Sequence, residues 1–130
     1  MTPARITVRK SQFTLEVTRG DFTRTFSIGV GSNPDGGDKR VEGDCRTPEG
    51  EFTVVSIEDS SNWEHEGERT YGPLFLRLDC PPWRGIGIHG TNEPDSVGKR
   101  SSRGCIRMRN EDLTELAELV SVGTVVTILP

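Results

Sequence analysis

Ile88-His89-Gly90-Thr91 and Ser101-Ser102-Arg103-Gly104-Cys105-Ile106-Arg107-Met108 place a histidine and a cysteine 16 residues apart, each among small residues. Residues 86–89 read as a short strand that ends at His89, and the separation lets the chain leave that strand, turn and return beside it. The two side chains can then meet across neighbouring backbones. Cysteine attacks as thiolate, and with an ordinary pKa of about 8.5 only a few per cent is ionised at neutral pH. An imidazole and nearby positive charge are what such chemistry requires. His89 supplies the first, and Arg103 and Arg107 flank the thiol.

Working outward, the chain reads as short alternating strands. Residues 12–18 put Phe13, Leu15 and Val17 on one face, and residues 22–30 put Phe26 and Ile28 on one face. Arg19-Gly20-Asp21 between them is a turn, which makes a hairpin. Ile6-Thr7-Val8, residues 52–57, 74–78 and 125–129 are further strands. Residues 31–46, with Asn33-Pro34-Asp35-Gly36-Gly37, carry turn chemistry and read as a mobile surface loop; residues 60–70 form a second polar insertion, a candidate flap. In Cys80-Pro81-Pro82-Trp83-Arg84-Gly85 the two prolines exclude a central strand. One helix is expected after the cysteine, with Asn110 as its cap, Glu111 and Asp112 in its first turn, Leu113, Leu116, Ala117 and Val120 on its apolar face, and Gly123 at its end.

Composition narrows the function. At 130 residues the chain is expected to be one domain, 1–130, and 15 glycines with 8 prolines favour turns between strands over long helices. Net charge is −4, from 16 basic and 20 acidic residues, with no basic cluster along any segment, so nucleic acid is not an expected partner. No run approaches the ~18 apolar residues of a membrane span, and Met1-Thr2-Pro3-Ala4-Arg5 leads into a strand and not into a signal-peptide core. The three cysteines lack C-x-x-C spacing, and the histidines lack H-x-x-x-H spacing, so no metal is expected; Cys45 and Cys80 are expected to remain unbridged.

The run IHGTN followed by S-x-G-C-I-R-M resembles the signature of the bacterial L,D-transpeptidase catalytic domain, the cysteine enzymes that cross-link peptidoglycan stem peptides. Arg46-Thr47-Pro48-Glu49-Gly50-Glu51-Phe52 is similar to that family's T-P-x-G-x-F segment, and Tyr71-Gly72-Pro73 to its aromatic-small-Pro step. The likeness covers nearly the whole chain. It departs at Arg103, where the family most often has histidine, so no role of that second histidine carries over.

The resemblance implies a mainly β fold of two packed sheets with one α-helix in the C-terminal half, and a groove where His89 meets the Cys105 loop. It also implies that Cys105 attacks the diamino-acid carbonyl of a donor tetrapeptide stem and expels D-alanine, His89 moves the proton, and an acceptor stem's amine resolves the thioester. No cofactor or metal enters. The expected partners are the two stems, the expected state a monomer and the expected place the cell envelope, and carbapenems should acylate the cysteine. Because the N-terminus shows no export signal, the expectation is that a leader was removed or that export uses a route this sequence does not show.

Around that dyad, Gly104 and the Cys105 amide are candidate oxyanion donors. Arg107 can pair with a carboxylate of the protein or with one of the substrate. Arg103 can lie over the cleft or in solvent. Ser102 and Thr91 can orient the site or cap turns, with turn capping the expectation for Thr91, and Gly90 is a candidate for substrate positioning. His65 is expected to be a solvated loop residue. Hydrolysis of the same thioester, an L,D-carboxypeptidase activity, and a non-catalytic wall-binding module are the alternatives.

Overall fold

A computed structural model describes residues 2–130. Its strands in chain order are β1 (Arg5–Arg9), β2 (Thr14–Arg19), β3 (Phe22–Ser27), β4 (Val30–Gly31), β5 (Gly50–Asp59), β6 (Leu74–Asp79), β7 (Gly87–His89), β8 (Arg100–Ser102), β9 (Ile106–Arg107) and β10 (Val125–Leu129), with one helix, α1 (Asn110–Leu119). The two sheets are unequal. Eight strands run in the order β3-β2-β1-β10-β5-β6-β7-β9, and β4 pairs with β8 in a two-stranded ladder.

Period-two alternation decides what this sheet buries. Ile6 and Val8 of β1, Leu15 and Val17 of β2, and Val126 and Ile128 of β10 are all at most 1% exposed. Ile88, Ile106, Leu113 and Leu116 belong to the same core, so α1 closes the cluster that the strands open. Each buried Leu on α1 is worth about 1.5–3 kcal/mol in area removed from water. Phe13 lies outside the alternation: it takes a left-handed backbone (φ 54°) after a 3-10 turn, and β2 starts one residue later. The Arg19-Gly20-Asp21 turn joins β2 to β3 as its residue types require.

The helix begins where expected but is not capped as expected. Arg109, in extended backbone, occupies the cap position, and no side chain caps the first turn. The helix ends at Leu119, with Val120 extended; Gly123 (φ 95°) instead serves the turn into β10, where its amide donates to the Val54 carbonyl at 2.7 Å. No helix among the described residues is long and apolar enough to cross a membrane.

The loop of residues 31–46 is more ordered than its composition suggests. The carboxylate of Asp44 accepts the amides of Arg40 (2.8 Å), Val41 (3.3 Å) and Arg46 (3.1 Å) and pairs with buried Lys39 at 3.0 Å. Burial alone would push its pKa up. The bonds from Arg40, Lys39, Arg46 and Val41 outweigh it and hold the carboxyl well below the usual range. Lys10, 2% exposed, ties the loop to the following segment by donating to the Gly37 and Thr47 carbonyls (3.0 and 2.7 Å) and pairing with Glu49 at 2.9 Å. A buried ammonium needs that many partners to offset its desolvation.

Candidate active site

Strand register brings His89 and Arg107 to one face. β7 and β9 run parallel with His89 opposite Arg107 and Ile88 opposite Ile106, while β6 runs antiparallel to β7 with Phe75 opposite His89. Opposed residues share a face, and residues two apart on a strand do too. Leu76, Ile88 and Ile106 therefore go into the core, while Phe75, His89 and Arg107 face the other way. Cys105, in the bend just before β9, lines the same small cavity as His89 and Arg107. The expected return of the chain beside the His89 strand is present, made by way of β8.

The cleft has two lobes that meet at the thiol. A small cavity of about 90 Å³ is lined by His89, Cys105, Arg107, Ser102 and Tyr71, with His65, Thr70 and Arg103 at its edge. A larger one of about 600 Å³ runs from Cys105 and Gly85 past Tyr71 and Arg103 to Trp63, Phe75 and Arg77. Residues 60–70 thus form a wall of the cleft through Trp63 and His65. His65 is partly shielded at the cleft edge, with its ring 6.5 Å from that of Tyr71.

His89 is 4% exposed and packed on two sides by rings. Phe75 stacks on it nearly parallel (9°, centroids 5.5 Å apart), and Tyr71 meets it edge-on at 5.1 Å. Its Nδ1 lies 2.5 Å from the Gly90 carbonyl. A carbonyl only accepts, so Nδ1 carries the proton and Nε2 keeps a free lone pair. Burial lowers the imidazole pKa to about 4; the Gly90 bond pulls upward, and the Arg107 charge adds to the lowering. The ring is neutral at physiological pH.

The His89 loop is held by contacts that local sequence did not suggest. The Gly90 amide donates to the Tyr71 carbonyl (3.0 Å), and the Thr91 amide donates to Asn110 Oδ1 (2.9 Å). A Cβ on Gly90 would collide with that same Asn110 oxygen, so only glycine fits there. Gly90 positions His89 from behind. Thr91 caps its turn as expected, its Oγ1 accepting the Glu93 amide at 2.9 Å.

On the cysteine side, buried Ser102 clamps the loop: its hydroxyl donates to the Cys105 carbonyl (2.5 Å) and accepts the Gly104 amide (3.1 Å). The Gly104 amide is therefore occupied by Ser102 and is not free for an oxyanion, contrary to the sequence reading. Gly104 has φ 144°, a backbone unsuited to side chains, and a Cβ there would sit 3.1 Å from the Arg46 carbonyl. Its contribution is backbone shape.

The partly buried Cys105 has its Sγ 3.3 Å from the Gly85 carbonyl. Burial of the sulfur raises its pKa, against a Gly87 amide bond and the charges of Arg107, Arg77 and Lys39, which lower it. Arg103 is not among those charges. It is 73% exposed and pairs with Glu66 at 3.3 Å while lining the rim of both lobes of the cleft, so the side chain is at once in solvent and at the cleft edge. Cys80 is buried, with burial first, then Asp79 and Cys105, pushing its pKa up to about 12; Cys45 and Cys80 are both free thiols. Among the described residues no three His, Cys, Asp or Glu side chains converge as a metal site.

A β-rich domain with an imidazole and a thiol lining one cavity of a two-lobed cleft defines the class of site. The chain belongs to the L,D-transpeptidase catalytic-domain family, whose YkuD model matches residues 3–128. It is 37% identical over 129 residues to YkuD of Bacillus licheniformis, an L,D-transpeptidase by name, covering 98% of this chain and 67% of that one. It is 39% identical over 108 residues to YqjB of Bacillus subtilis, also an L,D-transpeptidase by name, and covers 61% of it. The solved structure of L,D-transpeptidase 3 from Mycobacterium tuberculosis superposes with a TM-score of 0.76 over 99% of this chain and 62% of that one; at 20% identity the likeness shows the fold. That protein has also been solved with a faropenem-derived adduct. The chain thus spans about three-fifths to two-thirds of these proteins.

Proposed function

We propose that this domain is a peptidoglycan L,D-transpeptidase in which Cys105 is the nucleophile and His89 the general base. The observation that carries the reading is the cavity that His89 and Cys105 line together beside the paired strands β7 and β9, with the imidazole buried and its Nδ1 proton held by the Gly90 carbonyl so that Nε2 keeps its lone pair. With the imidazole pKa lowered and the thiol pKa raised, the resting pair is neutral imidazole and neutral thiol. The base therefore acts when attack occurs.

In the first half-reaction Nε2 takes the thiol proton as sulfur adds to the diamino-acid carbonyl of the donor tetrapeptide. The Cys105 amide, left to this task by the engagement of Gly104 with Ser102, stabilises the oxyanion. On collapse the C–N bond breaks, the imidazolium gives its proton to the departing D-alanine amine, and a thioester remains. In the second half-reaction an acceptor amine adds to the thioester carbonyl and loses its proton to His89; the thiolate leaves and is reprotonated. Each proton is returned, so neither metal nor redox partner is consumed. The larger lobe, with Trp63, Phe75 and Tyr71, offers apolar walls for one stem. The reading places the domain in the cell envelope, acting as a monomer on two stems.

The test is to incubate the protein with tetrapeptide muropeptides and read product masses. Cross-linked dimers that require Cys105 are expected as the main product at high stem concentration, because a bound amine at high effective concentration outcompetes water. Tripeptide alone at every stem concentration would replace the transpeptidase reading with a carboxypeptidase, leaving Cys105 and His89 in place.

A further inference from the structure

Arg107 stands out among the arginines around this cleft. Arg77 pairs with Glu58 at 2.7 Å, Arg46 with Asp35 at 2.6 Å, and Arg103 with Glu66 at 3.3 Å. The Arg107 side chain has no hydrogen bond and no ion pair among the described residues, and its Nε is buried without a partner. Its backbone is firmly placed, since its amide and carbonyl both bond to Gly29, at 2.9 and 2.8 Å. The side chain lines the small lobe beside His89 and Cys105. A half-buried guanidinium left without an anion costs stability, and buried polar groups in folded proteins otherwise find partners.

We propose that Arg107 binds the α-carboxylate of the residue that leaves when Cys105 is acylated, and so selects stems that end one residue beyond the scissile carbonyl. This rests on the transpeptidase reading. Arg107 lies two residues after Cys105, at the end of β9, and both side chains line the small lobe with His89, so the guanidinium stands about one to two residues' length from the thiol. A carboxylate one residue past the attacked carbonyl falls within reach of a side chain at that spacing. A stem longer by one residue would carry its carboxylate about 3.5 Å farther on, beyond the same grip. Guanidinium and carboxylate match as planar, bidentate partners, and the partial burial of Arg107 strengthens the bond.

The test compares two synthetic tetrapeptide stems, one ending in D-alanine and one in the isosteric D-alaninamide, by the rate at which the Cys105 thioester mass appears. For the unaltered protein the acid is expected to acylate roughly 10- to 100-fold faster than the amide, the range of a charge-assisted hydrogen bond. Arg107→Gln should bring that ratio close to one, and Arg107→Lys should keep part of it. The ratio isolates carboxylate binding, because any effect of the charge on the thiol slows both stems alike. Equal rates in the unaltered protein would overturn the proposal while leaving the transpeptidase reading standing, as would an undiminished ratio in a folded Arg107→Gln. Thioester from neither stem would overturn the reading and the proposal together.

Discussion

Asn110 Oδ1 accepts the amide proton of Thr91 at 2.9 Å, tying the first residue of α1 to the loop that holds His89. The same oxygen fills the space a Cβ on Gly90 would need, so the helix start, Gly90 and the imidazole form one rigid unit. Asn110→Ala removes the acceptor and leaves the Thr91 amide unpaired, at about 1–3 kcal/mol. The expected outcome is slower acylation with a near-normal binding constant, and recovery in Asn110→Asp, which keeps an acceptor oxygen. Stopped-flow acylation by a carbapenem reads both quantities. Unchanged acylation in Asn110→Ala would show that Gly90 and Tyr71 hold the loop unaided.

Cys105→Ala should fold and form no acyl-enzyme with stem or carbapenem, as seen by intact mass. His89→Ala should keep the thiol but acylate roughly 100- to 10,000-fold more slowly, the range for a lost general base. An adduct on Cys105→Ala would move the nucleophile elsewhere.

Alkylation against pH separates the arginines. The charges that act on the thiol are those of Arg107, Arg77 and Lys39, each lowering its pKa against the effect of burial. Arg107→Gln is therefore expected to raise the apparent pKa for iodoacetamide labelling of Cys105. Arg103→Gln, at an exposed rim position paired with Glu66, should leave it unchanged. Cys80 should stay unlabelled in the folded protein, because burial pushes its thiol up to about 12. A shift in Arg103→Gln equal to that in Arg107→Gln would mean that the rim pair folds over the thiol in solution.

Much of this arrangement was legible in the sequence because it is carried by local pattern. Period-two runs located the strands around Leu15, Leu76 and Ile128, and Leu113 and Leu116 marked the helix face. The spacing of His89 and Cys105 implied adjacent strands, which the register of β7 and β9 supplies. What stayed hidden depends on contacts between residues distant in the chain. Asn110 looks like a helix cap from its neighbours alone, yet its partner lies 19 residues away. Tyr71, Phe75 and Trp63 form the aromatic wall around His89 only after β6 pairs with β7. Residues 31–46 read as mobile because glycine and polar residues dominate them. Asp44 alone collects the amides that would otherwise need water.

That loop gives an acid-sensitivity test. The Asp44 pKa is depressed in the folded state, so its contribution is complete above the ordinary carboxylate pKa of 3.8 and is lost as pH falls below it. Asp44→Asn keeps the shape but removes the charge opposite Lys39 and should destabilise at neutral pH by about 3 kcal/mol, the cost of leaving a buried ion unpaired. Urea midpoints at pH 7 check this. A midpoint within error of the unaltered protein would show that Lys39 finds another partner.

His89 sets a second, separable window. Its folded pKa of about 4 lies below the ordinary 6.5, so the unfolded chain binds the proton first as the solution is acidified. Stability from the neutral, buried ring is therefore complete above pH 6.5 and declines as pH falls toward 4. The gap corresponds to about 3 kcal/mol between those limits. His89→Gln has no such proton to bind, so its stability should run flatter from pH 7 to pH 4.5 than that of the unaltered protein, even if it is lower at pH 7. Thermal midpoints across that range, fitted for both proteins in the same buffers, measure the difference in slope. Parallel curves would mean that the ring takes up its proton in the folded state at an ordinary pH, and that the packing by Phe75 and Tyr71 opens readily to water.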